Sequence, residues 1–164
     1  MNILYVESGV AGGGSFESLL QHIKTVDRER FQPHVVFLNR TEYLQKLKAM
    51  NVPTFLVEDP VFSRGGGLGL QPYRHFIWKF VRNYWPSLYR SAIRYLQSST
   101  IRRLESIVQE HQIDLIHLND QPDRDWFGIE AARRVDRPCV SHIRTANVPD
   151  FRSMGAEYAN RTVD

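Results

Sequence analysis

Seven residues, Gly9-Val10-Ala11-Gly12-Gly13-Gly14-Ser15, separate a short apolar run from the first amphipathic stretch of the chain. Glycines let backbone approach a ligand closely, and a helix that begins beside them turns its N–H groups and positive dipole end towards an anion. Three successive glycines exceed what a tight strand-to-helix turn requires, which favours a ligand loop over a plain turn. The spacing is not G-x-G-x-x-G, and the next apolar run ends in Asn39-Arg40-Thr41, without the acid that grips a nicotinamide ribose. Both features argue against a nicotinamide dinucleotide.

Two further groups of polar residues stand at the ends of apolar runs. His117, Asn119, Asp120 and Asp123 surround the end of DLIHLN, and His142 and Arg144 stand at the end of PCVSHIRT. The His and Asp spacing lacks the convergence of a metal site. His117 sits mid-run, where a histidine is ordinarily part of the core. Asn119 and Asp120 sit where polar groups either cap a loop or meet a ligand. His142 and Arg144 share one face of a strand. The planar fork of Arg144 suits phosphate, and an ion pair with Asp120 or Asp150 is the plainer alternative. Glu7 follows the first run without the acidic cluster and Asp nucleophile of a phospho-acceptor. No nucleophile elbow, Walker loop or H-E-x-x-H occurs.

The elements that must position these residues are legible from apolar patterning. Ile3 to Val6, Pro33 to Asn39, Thr54 to Val57, Asp114 to Asn119 and Pro138 to Ile143 read as strands, apolar almost throughout. Helical patterns lie between them. The first is capped by Ser15, with Glu17 in its first turn and Leu19, Leu20, Ile23 and Val26 on one side. The second carries Tyr43, Leu44, Leu47 and Met50, and another spans Asp125 to Val135. Strands of this kind alternating with helices predict an α/β fold. Its sheet is parallel, doubly wound and Rossmann-like, covered on both faces.

Residues 60–111 are more chain than one crossover needs and read as an inserted basic-aromatic helical hairpin. A first helix ends at Pro86 and a second runs from about Leu88 to His111. Between Pro60 and Leu104 there are eight Lys and Arg residues and no Asp or Glu, so the chain's net charge of +3 conceals an acidic remainder. Trp78, Lys79, Arg82 and Trp85 lie within this segment among seven further aromatic residues. The pattern fits a membrane interface and a solvated amphipathic helix equally well. Nucleic acid ranks below both, since no nucleic-acid-binding motif accompanies the charge.

With 164 residues, 42% hydrophobic and 24% charged, the chain has ordinary globular composition and the length of about one domain. The lone Cys139 excludes a disulfide scaffold. The opening MNILYVES lacks a secretory pattern, and no apolar run reaches the roughly 18 residues of a membrane helix. A cytoplasmic location, peripheral at the inner face of the membrane, is the expectation.

Taken in order, ILYVESGVAGGGSFESLL, DRERFQPHVVFLN, KLKAMNVPTFLVE and DLIHLNDQPDRDWFGIEAARRVDRPCVSHIRT resemble the N-terminal domain of GT-B glycosyltransferases, in particular the GT4-like group. The resemblance covers nearly the whole chain apart from residues 60–86. It implies a loop, here Gly12, Gly13, Gly14 and Ser15, that faces an inter-domain cleft and helps hold the sugar-nucleotide diphosphate and the acceptor. It implies contact of Asn119, Asp120 and Arg144 with acceptor or sugar. Asn119 stands where the group often has the second His of a His-x-His pattern. Arg144 stands where it often has a His beside the transferred sugar. The C-terminal donor-binding domain with its paired glutamates is not in this sequence.

The expectation is therefore the acceptor-binding half of a glycosyltransferase. The intact enzyme would move a sugar from a nucleotide diphosphate sugar to a lipid- or envelope-linked glycan, with no metal or further cofactor and no nucleic acid. The half would be inactive until a C-terminal donor domain or partner chain completes it. The alternative is a non-catalytic binding or membrane-anchoring module that recruits a catalytic partner; a free-standing nucleotide-binding domain is a weaker third.

Overall fold

A computed structural model describes residues 1–8, 14–59, 80–119 and 122–142. Five strands, β1 (Asn2–Glu7), β2 (Gln32–Phe37), β3 (Thr54–Leu56), β4 (Leu115–Leu118) and β5 (Cys139–Ser141), form one sheet in the order β3-β2-β1-β4-β5. Every neighbouring pair is parallel. The chain winds outward from β1 in one direction and returns to the other side of β1 through β4. β1 and β4 therefore form the point at which the winding reverses, where ligands of open α/β sheets bind outside the strands' carboxyl ends. This is the doubly wound Rossmann-like sheet that the apolar runs predict.

Alternation along β1 feeds two cores. Ile3 and Tyr5 pack with Phe16, Leu19, Leu20 and Ile23 of α1 (Gly14–Thr25) and Leu47 of α2 (Tyr43–Ala49). The rings of Phe16 and Tyr43 stack at 3.5 Å and join α1 to α2. Leu4 and Val6 face the opposite core, which contains Ile93 of α3 (Pro86–Leu96), Ile101, Leu104, Ile107 and Val108 of α4 (Ser98–Glu110), and Trp126, Phe127, Ala131 and Ala132 of α5 (Pro122–Arg134). Gly128 lets α5 sit close on the sheet: a Cβ there would lie 2.5 Å from Leu118 Cδ2, inside the packed core.

Three helices enter their strands by the same device. Asn51, Gln112 and Asp136, just past α2, α4 and α5, all have positive φ, between 50° and 54°. The following amides of Val52, Ile113 and Arg137 donate back to the carbonyls of Leu47, Val108 and Ala132. This left-handed closure satisfies the last helical carbonyls and turns the chain into the next strand.

The helices between β3 and β4 differ from the sequence reading. Pro86 begins α3 rather than only ending the helix before it. Residues 80–84 are helical, Trp85 has non-helical angles, and Pro86 takes the first helical position, where its missing N–H costs nothing. The single helix expected from Leu88 to His111 is broken at Gln97. Its second part, α4, supplies five buried side chains and packs against α5, so it serves as a crossover helix of the sheet. β5 is shorter than the run from Pro138 to Ile143 predicts, and α5 begins before Asp125, which bends it with φ −99° and ψ 16°.

Candidate functional site: the strand mouths at β1 and β4

The carboxyl ends of four strands stand side by side. The Asn119 amide donates to the Val6 carbonyl at 3.0 Å, Leu38 to Glu7 at 3.3 Å, and His142 to Leu118 at 3.0 Å. The Asn39 side-chain amide donates to the Ser8 carbonyl at 3.2 Å. Ser8, Asn39, Asn119 and His142 are thus brought to one rim by backbone pairing and the Asn39 side chain.

Beneath the rim lies a buried carboxylate. Glu7 ends β1 and is 2% exposed, and Asn119, past the end of β4, is 1% exposed. Asn119 Nδ2 donates a short hydrogen bond to Glu7 Oε2 and a second, at 2.9 Å, to the Ser15 carbonyl. Ser15 Oγ donates to Glu7 Oε1 at 3.3 Å. One carboxylate and one amide therefore tie β1, β4 and the first turn of α1 together at the reversal point of the sheet. Burial makes these links mutually dependent, because a buried polar group that loses a partner costs the desolvation it no longer offsets.

Ser15 does not cap α1. The helix already includes Gly14, and the Ser15 hydroxyl is spent on Glu7. Gly14 is open: a Cβ there would meet nothing within 4 Å. Of the other expected site residues, Asn119 lies at the node. Gly12, Gly13, Asp120 and Arg144 lie outside the described residues, as do Trp78 and Lys79 of the basic-aromatic surface.

His117 is half-buried among rings. Its centroid lies 5.0 Å from Tyr5 and 6.2 Å from both His22 and His142. Tyr5 is buried, which pushes its phenol above the ordinary value, and its hydroxyl lies 2.9 Å from His22 Nε2. Among the described residues no group of His, Cys, Asp or Glu is arranged to hold a metal ion. Cys139 is a poor nucleophile: burial, then the nearby Asp125 charge, pushes its thiol up to about 12.

The aromatic surface is positioned from the same end of the sheet. Asp59, two residues past Val57 and fully buried, accepts from Gln97 Nε2 at 3.2 Å and a short bond from Thr100 Oγ1. Its amide donates to Leu38, so the break between α3 and α4 is pinned to the strand mouths. Outward from that anchor stand Tyr84 (67% exposed), Trp85 (57%), Leu88 (59%) and Tyr95 (80%). A groove of about 530 Å³ is lined by residues from Tyr84 to Leu88. Arg82 is half-buried, and Trp85 lines the groove. Among the described residues no helix is long and apolar enough to cross a membrane.

Sequence reasoning weighed Glu7 only as a phospho-acceptor and passed over Asp59. Glu7 directly follows an apolar run and Asp59 is the second of two acids after another, and those positions were the available signal.

No family model matches the chain, and no curated protein does. Two solved structures share its fold. The glycosyltransferase VinC, in complex with dTDP, aligns at a TM-score of 0.58 and 15% identity, over 98% of this chain and 38% of that one. MurG of Acinetobacter baumannii aligns at a TM-score of 0.56 and 10% identity, over 97% of this chain and 39% of that one. At such identities the likeness is one of fold: a parallel Rossmann-like α/β unit spanning less than two-fifths of the length of either neighbour.

Proposed function

We propose that this chain is the acceptor-side half of a GT-B glycosyltransferase of the GT4-like group, acting on a lipid- or envelope-linked glycan at an anionic membrane surface. The observation that carries the reading is the Glu7–Asn119–Ser15 node. It fixes the first turn of α1 at the reversal point of a sheet whose fold neighbours include a glycosyltransferase bound to a nucleoside diphosphate. In this reading Gly12 to Ser15, Asn119, Asp120 and Arg144 form the acceptor wall of a cleft. The opposite wall, which binds the nucleotide diphosphate sugar, comes from a C-terminal donor domain or partner chain.

The exposed aromatics around Trp85 supply the surface on which a lipid-linked acceptor is met. Trp and Tyr favour headgroup level, and a segment free of acids favours anionic lipid. Asp59 holds that surface at a fixed distance from the acceptor wall.

The test is to sequence the gene and its neighbour downstream of the codon for Asp164. A continuing or adjacent frame encoding a second Rossmann domain with paired glutamates is the expected result. Its absence would remove catalysis from the reading and leave a binding or anchoring module.

A further inference from the structure

The outer face of α3 carries no charge. Ser87, Leu88, Ser91 and Tyr95 are exposed on it and Ala92 is half-buried, while Arg90 and Arg94 lie half-buried beside it. Along this face Leu88, Ser91 and Tyr95 run large, small, large, with Leu88 and Tyr95 two turns and about 10 Å apart. At one end of the helix lies the groove of about 530 Å³ lined by Tyr84, Trp85, Pro86, Ser87 and Leu88. Its rings form one cluster, with Phe80 4.4 Å from Tyr84 and 5.9 Å from Trp85. At the other end stands Tyr95, 80% exposed. A hole and a knob at opposite ends of one helix meet the requirement of an isologous contact, in which each copy supplies both. An antiparallel pair with its two-fold axis at Ser91 sets Tyr95 of each copy against Ser87 of the other, at the groove. A residue as small as serine at the crossing lets two helix axes approach to about 8 Å.

The area agrees with such a contact. A large side chain presents about 150–250 Å², so Phe80, Tyr84, Trp85, Leu88, Tyr95 and Leu96 leave roughly 700 Å² uncovered at their observed exposures. A monomer rarely shows that much apolar surface in one region, and a stable interface takes about 800 Å² from each partner.

We infer that a second copy of this chain covers the aromatic surface: two α3 helices pack antiparallel about Ser91, each seating Tyr95 in the groove of the other. The dimer does not depend on the proposed function. It buries Trp85 and Leu88, which that function gives to lipid, so a dimer in solution and a lipid-bound monomer exclude one another.

The experiment is sedimentation of the full chain, without lipid, over micromolar concentrations. A concentration-dependent dimer is expected. Tyr95→Ser removes two rings from each dimer and none from the core, and should weaken it roughly a hundredfold or more. Ser91→Cys, at the axis, should form a disulfide-linked dimer under air, whereas Ser99→Cys, exposed on α4, should not. A wild-type chain that stays monomeric would overturn the inference. So would a dimer unmoved by Tyr95→Ser, which puts the contact on another surface. Flotation with phosphatidylglycerol vesicles separates this contact from the lipid reading. The linked S91C dimer should not float, and its reduced form should. A linked dimer that floats as well as the reduced chain would overturn the shared surface. A wild-type monomer that floats would remove the dimer and leave the lipid reading in place. A wild-type dimer whose reduced S91C form does not float would do the reverse.

Discussion

Asn119 Nδ2 bridges the buried carboxylate of Glu7 and the carbonyl of Ser15, so one side-chain amide joins the two central strands to the first turn of α1. Residues 112 positions apart in sequence thereby meet where the sheet reverses direction.

Removing that amide strands a buried carboxylate. Asn119→Ala should cost about 1–3 kcal/mol of folding stability, the range for a buried polar group left without its partner. Asn119→Asp should cost more, because it sets two buried carboxylates against each other. Urea unfolding of the three proteins checks the order; equal midpoints for wild type and Asn119→Ala would contradict the node.

A strained backbone position offers the opposite sign. Gln112 holds φ 50° at the exit of α4, a conformation costly for a residue with a Cβ and free of that cost for glycine. Its neighbours in the same role, Asn51 and Asp136, are types that tolerate the left-handed region. Gln112→Gly should stabilise the fold by about 1 kcal/mol, less the extra entropy of glycine in the unfolded chain. A thermal midpoint a few degrees higher is the expected readout; a lower one would contradict the account.

Stability should also fall on mild acidification. Burial lowers the His34 imidazole below its ordinary value of 6.5; the Gln32 carbonyl opposes this, and nearby His111 adds to it. The folded chain therefore binds this proton less readily than the unfolded chain. The contribution is complete above pH 6.5 and is lost as pH falls below it through the lower folded value. His34 faces the core that contains Leu4 and Val36, so His34→Leu should fold and flatten the decline between pH 7 and pH 5. Denaturant midpoints measured across that range give the two slopes, and identical slopes would exclude His34 as the source.

The aromatic surface predicts lipid binding. Trp85→Ser with Leu88→Ser removes two exposed apolar side chains from the groove without touching the core. Burying such side chains is worth about 1.5–3 kcal/mol each, so co-flotation with phosphatidylglycerol vesicles should weaken by roughly tenfold or more. Salt should weaken the wild-type binding further. Undiminished flotation of the double variant would place the contact elsewhere.

Much of the architecture is legible locally. The apolar runs from Ile3 and Pro33 become β1 and β2 because a strand covered on both faces needs no polar alternation. The break at Gln97 is not legible in this way. An apolar stripe runs through it, and the interruption answers to Asp59, which comes from β3's end, 38 residues earlier. Ser15 reads as a cap because its type and place fit one; its hydroxyl is redirected by Glu7, whose burial no local pattern displays. Asn119 is recognisable at a strand mouth, whereas its role as a bridge depends on β1 and β4 being neighbours, a property of topology.

The most direct test of the acceptor-half reading is turnover of a reconstituted pair. The chain would be co-expressed with the Rossmann domain encoded downstream and supplied with nucleotide diphosphate sugars and membranes carrying polyprenyl-linked glycans. Release of nucleoside diphosphate would then be measured for the pair and for each half. The account predicts release from the pair alone, and its loss when Asn119→Ala disrupts the strand-mouth node of an otherwise folded chain. Release from the downstream half without this chain, or undiminished release with Asn119→Ala, would contradict it.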